Sequence, residues 1–145
     1  MAGEQRMVLE IVTPSAMMYN GPVDMVVIPA RDGELGILPG HSVMMAAITS
    51  GELRFRVGDT WRSLAVSSGY AEVSADLVIM IANAAEWAEE IDVPRAKNAL
   101  ARAEARMADP QTRPLDKVHA RHALQRATAR IKVAQQFAQK QAHSN

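Results

Sequence analysis

All eight glycines of this chain lie at or before Gly69, and the last 53 of its 145 residues hold no glycine but 13 alanines. Glycine serves tight turns, and alanine is the best helix former. A chain divided in this way has a turn-rich part followed by a helical part, so a single uniform fold class is excluded. Charge divides at the same place. Residues 1–92 hold five basic residues (Arg6, Arg31, Arg54, Arg56, Arg62) against thirteen acidic ones, a charge of −8. Residues 93–145 hold eleven basic residues against Glu104, Asp109 and Asp116, a charge of +8. The formal net charge of zero is therefore the sum of two opposite halves.

The first part reads as antiparallel β-structure. Met7–Val12 is a β-branched run that ends at Thr13-Pro14, and Val23–Ile28 is another that ends at Pro29. Gly51–Val57 alternates Glu52, Arg54 and Arg56 with Leu53, Phe55 and Val57, the period of a half-buried strand. Gly58-Asp59 is its turn, and Trp61–Val66 returns as the hairpin partner. Tyr70–Val73 and Leu77–Ile81 form a further hairpin through Ser74–Asp76. Short strands at even spacing predict a sandwich or barrel. Only six residues are aromatic, so its core is built from Val, Ile, Leu, Met and Ala.

The second part reads as two helices. Asp92 is the expected N-cap, and Pro94 is tolerated in the first turn, where its missing N–H has no intrahelical partner. Ala96, Ala99, Leu100, Ala103 and Met107 make one apolar stripe. Asp109-Pro110 and Arg113-Pro114 break it, and Leu124, Ala127, Ile131, Ala134 and Ala138 make a second. The result is a helical hairpin with arms of about 24 and 40 Å. Alanine at the contacts allows close approach but buries little area, so the hairpin depends on what it docks against.

Familiar catalytic and ligand motifs are lacking. Without cysteine there is no disulfide scaffold, thiolate zinc site or Cys nucleophile. No phosphate-binding loop or nucleophile elbow occurs, and Gly33, Gly36 and Gly40 read as turn glycines. His119 and His122 are three apart on a helix but lack a third ligand, which favours a solvated face over a metal site. His41, after Leu38-Pro39-Gly40, reads as a turn residue that fixes its loop by a hydrogen bond. Glu86, Glu89 and Glu90 read as a charged linker. No apolar run reaches the roughly 18 residues of a membrane span, and Met1–Arg6 lacks a signal-peptide stretch, so a soluble intracellular protein is expected. The unexplained feature is the basic hairpin, which suits nucleic acid, an acidic protein surface or a phosphate ligand. Its one aromatic residue, Phe137, argues against nucleic acid.

Three stretches resemble the epsilon subunit of the F-type ATP synthase: Leu9-Glu-Ile-Val-Thr-Pro14, Gly33-Glu-Leu-Gly-Ile-Leu-Pro-Gly-His41, and Ser68-Gly-Tyr-Ala-Glu-Val73 followed by a hydrophobic strand and Ala82-Asn-Ala-Ala-Glu86. The resemblance covers essentially the whole chain and is closest to the bacterial type. It implies a β + α fold: an antiparallel β-sandwich of about ten strands (residues 1–86), a linker (87–92) and a two-helix antiparallel regulatory hairpin (93–145). It implies a non-catalytic subunit of the rotor stalk, bound to the gamma subunit and to the polar loops of the c-ring, on the cytoplasmic face of the bacterial plasma membrane. Glu34 is expected at the c-ring and His41 near gamma.

A finer resemblance covers Ile91-Asp-Val-Pro-Arg-Ala96, similar to the motif of epsilon subunits that bind ATP. It implies that Arg126 and Arg130, four apart on one helix face, converge with Arg95 on a triphosphate. It further implies that Ile91 and Ala96 line the adenine and that Glu86 and Asp92 hydrogen-bond its edge or the loop. Pro94 departs from the pattern. No tightly bound cofactor is expected; ATP, with or without Mg²⁺, is the expected regulatory ligand. When the hairpin extends along gamma, Arg102, Arg106, Arg113, Lys117 and Arg121 are expected to meet an acidic loop of a beta subunit, with alpha nearby, and to block hydrolysis. Two rival readings are a constitutive stalk subunit whose hairpin never extends, and a basic-tailed nucleic-acid-binding or adaptor protein.

Overall fold

In a computed structural model, residues 6–144 are described. Residues 1–5, which carry most of the N-terminal stretch discussed above, and Asn145 lie outside them. Ten strands precede the helices among the described residues: β1 (Met7–Val12), β2 (Met17–Val23), β3 (Met25–Ala30), β4 (Gly33–Ile37), β5 (Met44–Ile48), β6 (Gly51–Val57), β7 (Thr60–Val66), β8 (Gly69–Val73), β9 (Leu77–Ala82) and β10 (Ala85–Trp87). A 3-10 turn at Ala88–Glu90 leads to α1 (Val93–Ala108) and α2 (Pro114–Ser144). Residues 87–92, expected as a linker, thus hold the end of β10 and that turn.

Hydrogen bonding runs in the order β10-β7-β6-β3-β5-β8-β9-β1-β2, with β4 paired to β3. The pairings are antiparallel except that β1 runs parallel to β9, from Val8↔Leu77 to Val12↔Ile81. The path folds over itself into a sandwich. Its ends meet through side chains: Tyr19 of β2 lies 4.4 Å, centroid to centroid, from Phe55 of β6, and Phe55 lies 6.2 Å from Trp87 of β10. Alternation fills the interior. Met7, Leu9 and Ile11, then Leu53 and Phe55, then Val78 and Met80, are all fully buried.

Three strands lack the expected patterns, each for a local reason. β2 contains Asn20, Gly21 and Pro22, which is tolerated because it ends the hydrogen-bonded path. β4 contains two glycines and pairs with β3 alone. β5, Met-Met-Ala-Ala-Ile, is made a strand by full pairing with β8. Pro29 does not end its strand as expected. It lies inside β3, and its carbonyl accepts from the Thr49 N–H at 2.9 Å. The side of β3 that would want a proline N–H therefore faces the corner where its neighbour changes from β5 to β6, and no ladder bond is lost.

The hairpin follows its signals with one correction. The Asp92 carboxylate caps α1 by accepting from the Arg95 N–H at 3.0 Å, and Asp109 closes the helix by donating its N–H to the Ala105 carbonyl at 3.1 Å. The 31 residues of α2 give a length of about 46 Å, longer than expected. The stripe expected on α2 is incomplete. Ala127 and Ala134 are buried but Ala138 is exposed, while Ala120, Ala129 and Val133 are also buried. The reason is that α2 has two partners. It packs on α1 and also on β6 and β7, so its apolar positions cover two faces. Among the described residues, no helix is long and apolar enough to cross a membrane.

Gly69 begins β8 where its backbone presses on β9. A Cβ there would collide with the Ile81 carbonyl oxygen and lie 2.9 Å from the Ala82 Cα. Gly69→Ala is expected to cost about 1–3 kcal/mol through overpacking, measured as a lowered urea midpoint with an unchanged m-value.

Candidate functional site

The site begins with one position on the outer face of the sandwich. In β7, Leu64 and Val66 point into the core, so Ala65 points outward. It is nevertheless 5% exposed, because Val133 of α2 and Ala88 cover it, with Ile91 and Phe137 packed alongside. Glu86 of β10 is the register partner of Ala65. Arg130, one helical turn before Val133, reaches that carboxylate: Nε donates to Oε1 at 2.8 Å and Nη2 to Oε2 at 3.5 Å. Both side chains are partly shielded, at 24% and 34% exposure.

Beside this pair, α1, α2 and the β7–β10 edge border an open cleft of about 570 Å³. Five arginines line it: Arg95, Arg102 and Arg106 from α1, Arg126 and Arg130 from α2. Spacings of seven and four on α1, and of four on α2, put each set on one helix face. Alanines make much of the wall, including Ala99, Ala103, Ala123 and Ala127. Among the described residues, no carboxylate lies within 4.0 Å of Arg95, Arg102, Arg106 or Arg126.

The structure regroups the residues singled out from the sequence. Arg95, Arg126, Arg130 and Glu86 come together, but Glu86 is engaged by Arg130. Ile91 packs into the Val133 cluster, Ala96 is fully buried, and the Asp92 carboxylate is the helix cap. None of these three lines the cleft. Arg102 and Arg106, assigned above to an inhibitory face, do line it. Arg113, Lys117 and Arg121 do not, and Arg113 pairs with Asp116 at 3.2 Å. The α1 spacing was visible in the sequence, but which partner that face meets depends on how the hairpin docks.

Glu34 and His41 lie elsewhere. His41 sits in a tight turn in which its N–H donates to the Leu38 carbonyl at 3.2 Å, and its Nδ1 is 2.8 Å from the Ser42 carbonyl oxygen. Glu34, on β4, takes both arms of the Arg54 guanidinium at 3.1 and 3.3 Å, and Glu52 accepts from the same group at 3.2 Å. These residues line a second groove of about 510 Å³, beneath α2 near Lys132. The hydrogen bond and charge of Arg54 hold the Glu34 pKa below its ordinary value. His119 and His122 are exposed, and no cluster of three or more potential metal ligands occurs among the described residues.

A ten-stranded sandwich carrying a docked pair of long helices defines a two-domain architecture, and comparison with known proteins gives it a family. Residues 6–88 match the family described as ATP synthase, delta/epsilon chain, beta-sandwich domain, and residues 89–135 match its long alpha-helix domain. The chain is 49% identical over 131 residues to the ATP synthase epsilon chain of Syntrophobacter fumaroxidans, covering 90% of this chain and 97% of that one. It is 43% identical to those of Dehalococcoides mccartyi (88% and 91% covered) and Halalkalibacterium halodurans (87% and 95%). Two solved assemblies contain chains of the same fold. One is the Euglena gracilis mitochondrial ATP synthase (TM-score 0.79, 23% identity, 92% of this chain and 86% of that one). The other is the central stalk and c-ring of the Tetrahymena thermophila enzyme (TM-score 0.59, 13% identity, 94% and 98%). The chain belongs to the ATP synthase delta/epsilon family as an F-type epsilon subunit, a non-catalytic component of that complex.

Two outcomes follow from this geometry. A double-mutant cycle on Glu86→Ala and Arg130→Ala is expected to give a coupling of up to about 1 kcal/mol that shrinks in high salt. The Glu34 pKa is depressed in the folded state, so its contribution to stability is present above the ordinary value of 4.5 and is lost as pH falls through the folded value. Arg54→Gln should therefore be less stable than the wild type at neutral pH. The difference should narrow toward acid in urea titrations, and it should be small because Glu34 is 59% exposed.

Proposed function

We propose that this epsilon subunit regulates ATP hydrolysis through its hairpin, and that ATP bound between hairpin and sandwich favours the docked arrangement. The arginine-lined cleft carries this reading. Guanidinium groups bind phosphate oxygens through paired donors in a fixed fork, and five of them line one solvent-open cleft. The cleft exists only while α2 lies on β6 and β7, so a ligand bound there stabilises docking by RT ln(1 + [L]/Kd), about 2.7 kcal/mol at a hundredfold excess over Kd.

In the complex, the sandwich binds gamma and the polar loops of the c-ring, which puts the subunit in the rotor stalk at the cytoplasmic face of the membrane. Support comes from the family and from solved relatives whose assemblies include F1, the central stalk and the c-ring. Released from the sandwich, α1 and α2 extend along gamma. Arg113, Lys117 and Arg121, which lie outside the cleft, then join Arg102 and Arg106, freed from it, against the beta subunit, with alpha nearby.

Removing residues 93–145 from the assembled complex is expected to raise ATP hydrolysis while rotor assembly persists. Unchanged hydrolysis would refute the inhibitory role. Cysteines at Ala65 and Val133, which share one buried cluster, provide the lock. Oxidation should relieve inhibition, and an activity indifferent to oxidation would favour a purely structural subunit. Calorimetry with ATP and Mg²⁺ on the wild type and on Arg126→Ala tests the site itself.

A further inference from the structure

The sandwich face beneath α2 carries a second set of charges, away from the arginine-lined cleft. Glu34 is the register partner of Pro29 on β3, and Arg54 is the partner of Val27. Pro29 and Val27 are two apart on one strand, so Glu34 and Arg54 share a face, and Glu52 joins them by the alternation of β6. Arg54 donates to both carboxylates. Two carboxylates against one guanidinium leave the cluster with one net negative charge.

α2 lies across this cluster. Lys132, next to the Val133 anchor, lines the same groove as Glu34, Glu52 and Arg54, and it is the one charged residue that α2 contributes there among the described residues. No carboxylate lies within 4.0 Å of Lys132 among the described residues, so its charge acts across the groove and not through a bridge. Arg54 lowers the Glu34 pKa, by hydrogen bond and by charge, and Lys132 lowers it further. A cation that favours the charged Glu34 is itself held by it. Farther along α2, Lys140 and His143 line a shallower groove with Glu52 and Arg54. Glu34 is also open to solvent, at 59% exposure, on a strand that pairs with β3 alone among the described residues. A group from outside can therefore reach it while the hairpin is docked.

We propose that Glu34 helps to seat α2 by acting on Lys132 across this groove, and that a basic group of the rotor which takes Glu34 loosens the hairpin. Once Glu34 is neutralised, Glu52 and Arg54 cancel and Lys132 loses its net attraction. The coupling is reciprocal, so a docked hairpin weakens the outside contact by the same factor. The loosening step rests on the proposed binding of the sandwich to the polar loops of the c-ring; the link between Glu34 and Lys132 does not.

The chain has no cysteine, so Val133→Cys places a single thiol beneath the docked helix, where Val133 is buried. Its rate of reaction with a neutral thiol reagent follows the undocked fraction. In the full chain at low salt, Glu34→Gln should raise that rate about two- to fivefold, and the rise should fade at high salt. With Lys132→Gln also present, Glu34→Gln should change the rate by less than about 1.5-fold. Glu72→Gln, which removes an exposed acid on β8, should leave the rate unchanged. In the gamma–epsilon pair, added c-ring should raise the rate when Glu34 is present and not in Glu34→Gln. A Glu34→Gln effect that is absent, that persists in full without Lys132, or that Glu72→Gln reproduces would overturn the proposal. A c-ring that binds without raising the rate would overturn the loosening. A c-ring that does not bind would overturn the rotor contact on which that step rests, and would leave the Glu34–Lys132 link standing.

Discussion

The seating of Val133 on the outer face of β7 decides where the rest of the hairpin lies. Ala65 leaves a shallow place on that face, and Val133 with Ala88 covers it. Arg130 is three residues earlier on α2 and Glu86 is the register neighbour of Ala65, so the same seating brings these two together. α1 then packs on α2 through small residues such as Ala96, Ala103, Ala120 and Ala127, all buried. That close approach turns Arg95, Arg102 and Arg106 toward Arg126 and Arg130. The cleft is a consequence of one apolar anchor and helical periodicity.

This anchor is modest. Full burial of a valine side chain contributes about 1.5–3 kcal/mol, and its neighbours Ala65 and Ala88 add little area. Beside it five like-charged guanidinium groups line the cleft, four of them on exposed residues where water and salt screen their repulsion. Glu86 relieves that repulsion at Arg130, while Arg95, Arg102, Arg106 and Arg126 have no carboxylate at ion-pair distance among the described residues. A docked arrangement that is weakly anchored is one that a ligand can shift, as the proposed regulation requires.

Much of this was legible in the sequence, and the failures have physical causes. The alternation of Gly51–Val57 and the turn at Gly58-Asp59 marked β6 and β7, because a strand with one buried face must alternate. Gly58 takes φ +60° at the first loop position, and Asp24 Oδ2 accepts its N–H at 2.6 Å. The Asp92 cap was legible because capping is local. β2, β4 and β5 were not, since pairing rather than propensity makes them strands. Ala138 was misplaced and Val133 missed for one reason: a single apolar stripe presumes a single partner, and α2 has two. Arg95, Arg126 and Arg130 were grouped from the family resemblance, but the presence of Arg102 and Arg106 in the same cleft was not legible. Whether Arg102 and Arg106 belong with Arg95 or with Arg121 depends on the docking of α2, a non-local event.

The opposite charges of the two halves do not act as a lattice of bridges. Arg54, Arg56 and Arg62 of the sandwich pair with its own Glu34, Glu52, Asp24 and with nearby Glu89, and Arg113 pairs with Asp116 within α2. Glu86–Arg130 is the short bridge that joins sandwich to hairpin at the cleft. Most of the −8 and +8 therefore interacts at longer range, where attraction is weak, undirected and screened within about 10 Å at 0.1 M salt. Such a field draws the hairpin toward the sandwich without choosing an orientation. Orientation comes from the seating of Val133 on Ala65 and from the Glu86–Arg130 bridge. The long-range field and the directed contacts fall on different residues, so substitution at Glu86 removes the bridge while the apolar anchor remains in place.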